Sequence, residues 1–248
     1  MTDSIRLSKR VAELRSCSRR EAELLITGGW VRVDGNVVEE PQFRVADEAI
    51  EIDSKASPAQ AEPVTLLLNK PTGYHMRQGD SGEHAAVQLL GIDTLWAEPD
   101  PSFIARPIHP LKIHFTQLTA CSPLDTDANG LVVYTQDWRI ARKLTEDAAT
   151  VEHEIVVEVD NELTPEIIKR LNQGISFNGR IPTSIKVSQQ NETRLRVALK
   201  GAQPGQVAHM CTAVGLHVVS IKRIRLGGVS MGKLPAGQWR YLRGNERF

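Results

Sequence analysis

The run from Asp53 to Pro63, DSKASPAQAEP, limits the fold of this chain more than any other stretch. It is small and polar and holds two prolines, with no apolar face to bury, so it reads as a linker. A chain of 248 residues holds one large domain or two smaller ones. The linker selects two: residues 1–52, then a larger body over 64–248.

The first segment reads helix, helix, hairpin. Leu7, Val11 and Leu14 recur at helical spacing, with Arg6, Lys9, Arg10 and Arg15 on other faces. Ser18-Arg19-Arg20-Glu21 has the form of a capping box, a serine cap with a glutamate three residues on. The helix it starts runs from Arg19 to about Thr27 and stops at Gly28-Gly29. Asp34-Gly35 between Trp30–Val33 and Asn36–Val38 is a hairpin signal, because both central residues of such a turn need positive φ.

The second body starts with the apolar Val64–Leu68, closed by Asn69-Lys70-Pro71-Thr72-Gly73-Tyr74. Residues 75–119 show no clean period and read as loops with short elements. Strands are expected at Leu131–Tyr134, Glu154–Val159, Arg194–Leu199 and Leu216–Leu226, and helices at Trp138–Leu144 and Gln206–Val214. A further helix opens at Thr164-Pro165-Glu166, a cap followed by a first-position proline, and ends at Gly174. Strands and helices alternate without a βαβ rhythm, which predicts an α+β fold with a largely antiparallel sheet.

Formal net charge is zero, yet the charges are segregated. Six basic residues and one acid lie between Arg6 and Arg20, seven acids lie between Glu39 and Glu62, and seven basic residues and one acid follow Leu216. Two basic patches on a neutral chain point either to an anionic partner such as nucleic acid or to ordinary solvated surface. Cysteines 17, 121 and 211 have neither zinc nor disulfide spacing, and no run has signal-peptide or membrane-spanning character, which together predict a reducing cytoplasm.

Three stretches bear on chemistry. Gly228-Val229-Ser230-Met231-Gly232 matches the spelling of a serine-hydrolase elbow, but Pro235 and Gly237 occupy the helix such an elbow requires, and no histidine follows His217. His109 and His114 are a pair without an acid or cysteine cluster, a weak metal signal. In CSPLDTDANGLVVYTQD, residues 121–137, Asp125 precedes an apolar strand. Aspartate there is either a turn residue bonding nearby backbone amides or a reacting group.

Leu7, Ser18-Arg19-Arg20-Glu21-Ala22, Gly29, Val31, Val33 and Gly35 together resemble an S4-like RNA-binding domain. Beyond the linker, four stretches resemble RNA pseudouridine synthases of the RsuA/RluF branch. They are Asn69–Tyr74, Leu124-Asp125 with Gly130-Leu131, Gln206-Val207 with Arg223-Ile224-Arg225-Leu226, and Leu234–Trp239. The resemblance implies isomerisation of uridine to pseudouridine by one catalytic aspartate, Asp125, with no cofactor and no metal. It also implies a monomer acting on ribosomal RNA or, alternatively, transfer RNA, with no membrane partner. Arg6, Lys9, Arg10, Arg19, Arg20, Lys70, Lys222, Arg223 and Arg225 are the candidate RNA contacts.

The chain departs from that pattern at the chemistry. Pro123 stands where the resemblance implies an arginine that helps turn out the base. Ile155 stands in place of a stacking tyrosine, and Ala208 in place of the arginine that pairs with the aspartate. Two readings follow: a diverged but active synthase, and an RNA-binding relative that has lost the chemistry. His209, Tyr74 and Tyr134 are the candidate substitutes for the missing groups.

Overall fold

In a computed structural model, residues 4–58, 63–76, 82–97, 110–182 and 184–248 are described. Residues 98–109, His109 among them, and the middle of the linker lie outside that set. The chain divides into two compact units, Met1–Pro63 with Ile108–Gln117, and Val64–Pro107 with Leu118–Phe248.

The first unit contains β1 (Ile5–Arg6), α1 (Leu7–Arg15), α2 (Arg19–Thr27), β2 (Val31–Val33), β3 (Asn36–Val37), β4 (Arg44–Val45) and β5 (Ile50–Ile52). The capping box forms: the Glu21 backbone N–H donates to Ser18 Oγ at 3.2 Å, and the Ser18 N–H donates to Glu21 Oε2 at 2.8 Å. Asp34 and Gly35 take φ of 49° and 80°, as the β2–β3 hairpin requires. Leu7 and Val11 are wholly buried with Ala22, Leu25 and Ile26, whereas Leu14, expected on the same face, is exposed.

Residues 110–117 group with this unit, although they follow the linker in sequence. The Lys112 N–H donates to Glu39 Oε2 at 2.7 Å, and its ammonium pairs with Glu40. Those partners lie more than 70 positions away, beyond the reach of any local sequence signal.

The second unit contains β6 (Thr65–Lys70), β7 (Thr119–Cys121), β8 (Asn129–Thr135), α3 (Trp138–Thr145), β9 (Glu152–Val159) and α4 (Pro165–Asn172). It continues with β10 (Ile185–Asn191), β11 (Arg194–Lys200), α5 (Gln206–Ala213), β12 (Val218–Leu226), β13 (Val229–Ser230) and β14 (Trp239–Tyr241). They build one mixed sheet in the order β10-β11-β9-β12-β8-β6-β14, with β13 on β12 and β7 on β8. β8 and β12 run parallel and the other strand pairs antiparallel. The predicted α+β class with a largely antiparallel sheet is therefore what forms. α4 has its expected threonine cap and first-position proline.

β12 is the seam of this unit. Its Ile221 packs on the apolar cluster of β9, β10, β11, α4 and α5, while its Leu226 belongs to the cluster of β6, β8 and α3. The close approach of β8 and β12 depends on one glycine. A Cβ on Gly130, at φ 109°, would lie 2.2 Å from the Arg223 carbonyl oxygen, which no side chain tolerates.

Candidate functional site

Asp125 lies in the connection from β7 to β8. Ser122 turns the chain out of β7 in a left-handed conformation, φ 51°, which is uncommon for a residue with a side chain. The Asp125 carbonyl accepts the Ala128 N–H at 3.2 Å, so the backbone does make a turn. The carboxylate does not serve that turn: its Oδ2 accepts the N–H of Gly205 at 2.6 Å, across 80 positions of sequence.

Gly205 is the N-cap of α5, at φ 76°. The carboxylate therefore sits at the start of a helix, where unpaired N–H groups and the helix dipole favour negative charge by about 0.3–1 kcal/mol. Much of the surrounding lining is apolar, with Ile155, Val207, Ala208 and Ile221, and His153, Gln203 and Arg223 also line it. The void left between them is about 20 Å³, room for a single water and not for a nucleobase.

Two buried cations adjoin the pocket, Arg223 in its lining and Lys70 nearby. Lys70, at the end of β6, is fully buried, and its Nζ donates to the carbonyls of Tyr74 at 2.7 Å, Pro71 at 3.0 Å and Thr126 at 3.3 Å. Burial pulls its pKa down to about 8, against the opposing pull of Asp125 and Asp127. Arg223, on β12, is also buried. It donates through Nε to the Leu131 carbonyl at 2.7 Å and through Nη2 to the Ser122 carbonyl at 2.5 Å. Burial lowers its pKa to about 9, which leaves it charged at neutral pH. Its Nη1 lies 3.5 Å from His153 Nδ1, and burial together with this charge pushes the imidazole down to about 3. His153 is therefore neutral in the fold.

Lys70 and Arg223 thus do not fit the role of phosphate contacts expected from sequence. Each is buried, and its donors are bonded to backbone carbonyls of the chain itself. Arg225 is likewise engaged, with Glu154 at 2.6 Å and Glu152 at 2.6 Å, and Lys222 is half-buried. These three basic residues of β12 look alike in sequence, and strand position separates them.

In the first unit, Arg6, Lys9 and Arg19 line one concave face of about 530 Å³, joined by Arg44. Arg10 and Arg20 are exposed outside its lining, Arg10 within 3.6 Å of Glu13. Sequence reading missed Arg44, which reaches the face because β4 pairs with β1 and places Arg44 opposite Arg6.

The remaining candidates resolve simply. Ser230 lies in β13, paired with β12, and no strand–turn–helix surrounds it. His114 is buried, its Nδ1 accepting the Leu111 N–H at 3.3 Å. His209 does not turn towards Asp125: its Nε2 is 3.2 Å from the Ser176 carbonyl, and its ring lies on Phe177. Tyr134 is a core residue of β8, and Tyr74 makes an edge contact with His84.

Similarity to known proteins runs along the whole chain. A family profile described as "S4 domain" matches residues 5–50. The dual-specificity RNA pseudouridine synthase RluF of Salmonella typhi is 26% identical over 99% of this chain and 78% of its own length. An uncharacterized RNA pseudouridine synthase of Aquifex aeolicus is 28% identical over 98% of this chain and 94% of its own. The crystal structure of a pseudouridylate synthase superposes with a TM-score of 0.59 at 21% identity, covering 96% of each chain. The chain therefore joins an S4 domain to a pseudouridine synthase fold and is similar along its length to RluF-type proteins.

Proposed function

We propose that this chain is an RNA pseudouridine synthase in which Asp125 is the nucleophile and structured RNA, foremost ribosomal RNA, is the substrate. In the reaction the N1–C1′ bond of a uridine breaks, the uracil turns, and a C5–C1′ bond forms. C5 gives up its proton and N1 gains one, so the product is an isomer and no oxidant, reductant or cofactor is consumed. A carboxylate serves this exchange by forming a transient covalent bond to base or sugar, which divides one hard step into two easier ones. The observation that carries the proposal is the placement of Asp125: it lines a partly apolar pocket, and its carboxylate is held by the N-terminus of α5, not by its own turn.

That geometry also addresses the missing arginine. Ala208 supplies no cation, but the Gly205 N–H and the α5 dipole point positive charge at the same carboxylate, with the Lys70 ammonium close enough for Asp125 to raise its pKa. The loop 202–205 must move to admit a base, because the present void of about 20 Å³ is too small for one. Turning a uridine out of its stack costs a few kcal/mol. Phosphate contacts by the S4 domain are suited to offset it, acting in a monomeric protein of the cytoplasm.

The test is pseudouridine mapping of total RNA by carbodiimide labelling and primer extension. It compares cells lacking the gene with cells restored by wild type or by Asp125→Ala. A site that disappears on deletion and returns only with wild type supports the proposal. If no site changes while the purified protein still binds RNA with a steep salt dependence, Pro123, Ile155 and Ala208 mark an RNA-binding relative without the chemistry.

A further inference from the structure

We infer that Phe177 and His209 form a stacking platform for the nucleobase adjoining the target uridine, a reading that rests on the function proposed above. Ile155 leaves the pocket without a Phe, Tyr or Trp ring, and such side chains are scarce in this chain, at 5%. Two rings nevertheless meet beside Gly205, which lines the pocket. Their centroids are 5.4 Å apart with planes inclined at 54°. Phe177 is half-buried and His209 exposed.

Phe177 lies beside the start of α5. Its Cζ would lie 3.7 Å from a Cβ built on Gly205, the residue whose N–H holds Asp125. The ring is therefore about one residue's width from the reacting carboxylate. It is also fixed from behind. Phe177 and Arg180 exchange backbone hydrogen bonds of 2.8 and 3.0 Å around Asn178-Gly179, whose φ values of 51° and 74° make a tight hairpin turn. His209 is oriented by the Ser176 carbonyl at 3.2 Å. Arg180, exposed on the same turn, adds positive charge where a phosphate would run.

A ring pair with an adjacent cation, beside a pocket that would admit one nucleotide once the 202–205 loop moves, has the chemistry of single-strand recognition: bases stack on aromatic faces while basic side chains follow the backbone. Stacking tolerates any base, so the platform holds the strand and leaves the choice of uridine to the pocket.

The test uses the full chain with Asp125→Asn, so that binding is read without turnover. A fluorescein-labelled oligouridylate carrying one 5-iodouridine is irradiated in its complex, the crosslinked peptides are sequenced, and anisotropy gives the affinity. Crosslinks are expected on Phe177 or His209. Affinity should fall about tenfold in Phe177→Leu and severalfold in His209→Ala, and recover in Phe177→Tyr. His209 is exposed, so its variant keeps the test valid if Phe177→Leu loses its fold. Crosslinks confined to other residues, such as the exposed Trp138, or affinities of both variants within about twofold of the parent, overturn the platform. Crosslinks here without any pseudouridine made by wild type would sink the synthase reading alone. Pseudouridine without crosslinks here would sink the platform alone.

Discussion

Arg223 Nη2 donates to the carbonyl oxygen of Ser122 at 2.5 Å, joining β12 to the left-handed residue at which the Asp125 loop leaves β7. Nε of the same guanidinium holds the Leu131 carbonyl at 2.7 Å. Arg223→Met removes both donors and leaves two buried carbonyls unpaired, which costs on the order of 3 kcal/mol. Arg223→Lys keeps the charge but not the fork, and should recover only part of this. Urea unfolding of the three proteins checks the order wild type, Lys, Met, and single-turnover activity should fall in the same order as the loop loosens.

Asp125→Asn separates chemistry from fold. The amide oxygen can still accept the Gly205 N–H, so the melting temperature should stay within about 2 °C of wild type. A neutral amide cannot act as the nucleophile, and pseudouridine formation should fall on the order of 10⁴-fold or more. A variant with more than a tenth of wild-type activity would remove Asp125 from the mechanism.

Gly130→Ala tests the seam between β8 and β12. The added methyl would meet the Arg223 backbone at 2.2 Å, at a φ of 109° that L residues avoid. Strain and overpacking together predict a destabilisation of about 3 kcal/mol or more, seen as a lower urea midpoint and reduced activity. The same substitution at Gly35, where a Cβ meets open space, should cost only the left-handed strain, about 1 kcal/mol.

His153 gives the fold a pH dependence. Its folded pKa is lowered to about 3 from 6.5, so the native state keeps it neutral while the unfolded chain takes up a proton below about pH 6.5. The stability this confers is complete above that pH and is lost as pH falls from 6.5 towards 3. By pH 5 the loss is about 2 kcal/mol. Urea unfolding at pH 7 and pH 5 should show it in wild type, and His153→Gln should be flatter by that amount. The carboxylates with lowered pKa, Glu154 and Glu246 among them, start from 4.5 and act at lower pH.

Arg6, Lys9 and Arg44 should carry part of the RNA affinity. Substituting all three by glutamine should weaken binding to ribosomal RNA uniformly across sequences. The slope of log affinity against log salt should drop by about 0.7–0.9 for each phosphate these side chains neutralise. Arg223→Lys should leave that slope unchanged, because Arg223 is buried.

Much of the architecture follows from local rules that the chain spells out. The capping box at Ser18 and Glu21, the Asp34-Gly35 turn, the proline-led start of α4 and the apolar strands 65–70 and 129–135 are determined within a few residues. Sequence sufficed for them because helix caps, turn dihedrals and side-chain periods are short-range effects. Asp125 also stood out by its motif, and so did the three positions where the chain departs from it.

Long-range packing decided everything else about the site. The partner of the Asp125 carboxylate, the Gly205 N–H, lies 80 positions on and is set by the fold alone. Lys222, Arg223 and Arg225 look alike as letters, yet one is half-buried, one buried under the site and one tied to two glutamates. Arg44 joined the basic face only through strand pairing with Arg6, and Phe177 met His209 only when α5 docked. Composition and spacing record which charges and rings a chain owns. Whether each is solvated, desolvated or paired depends on neighbours distant in sequence, and only tertiary structure supplies those.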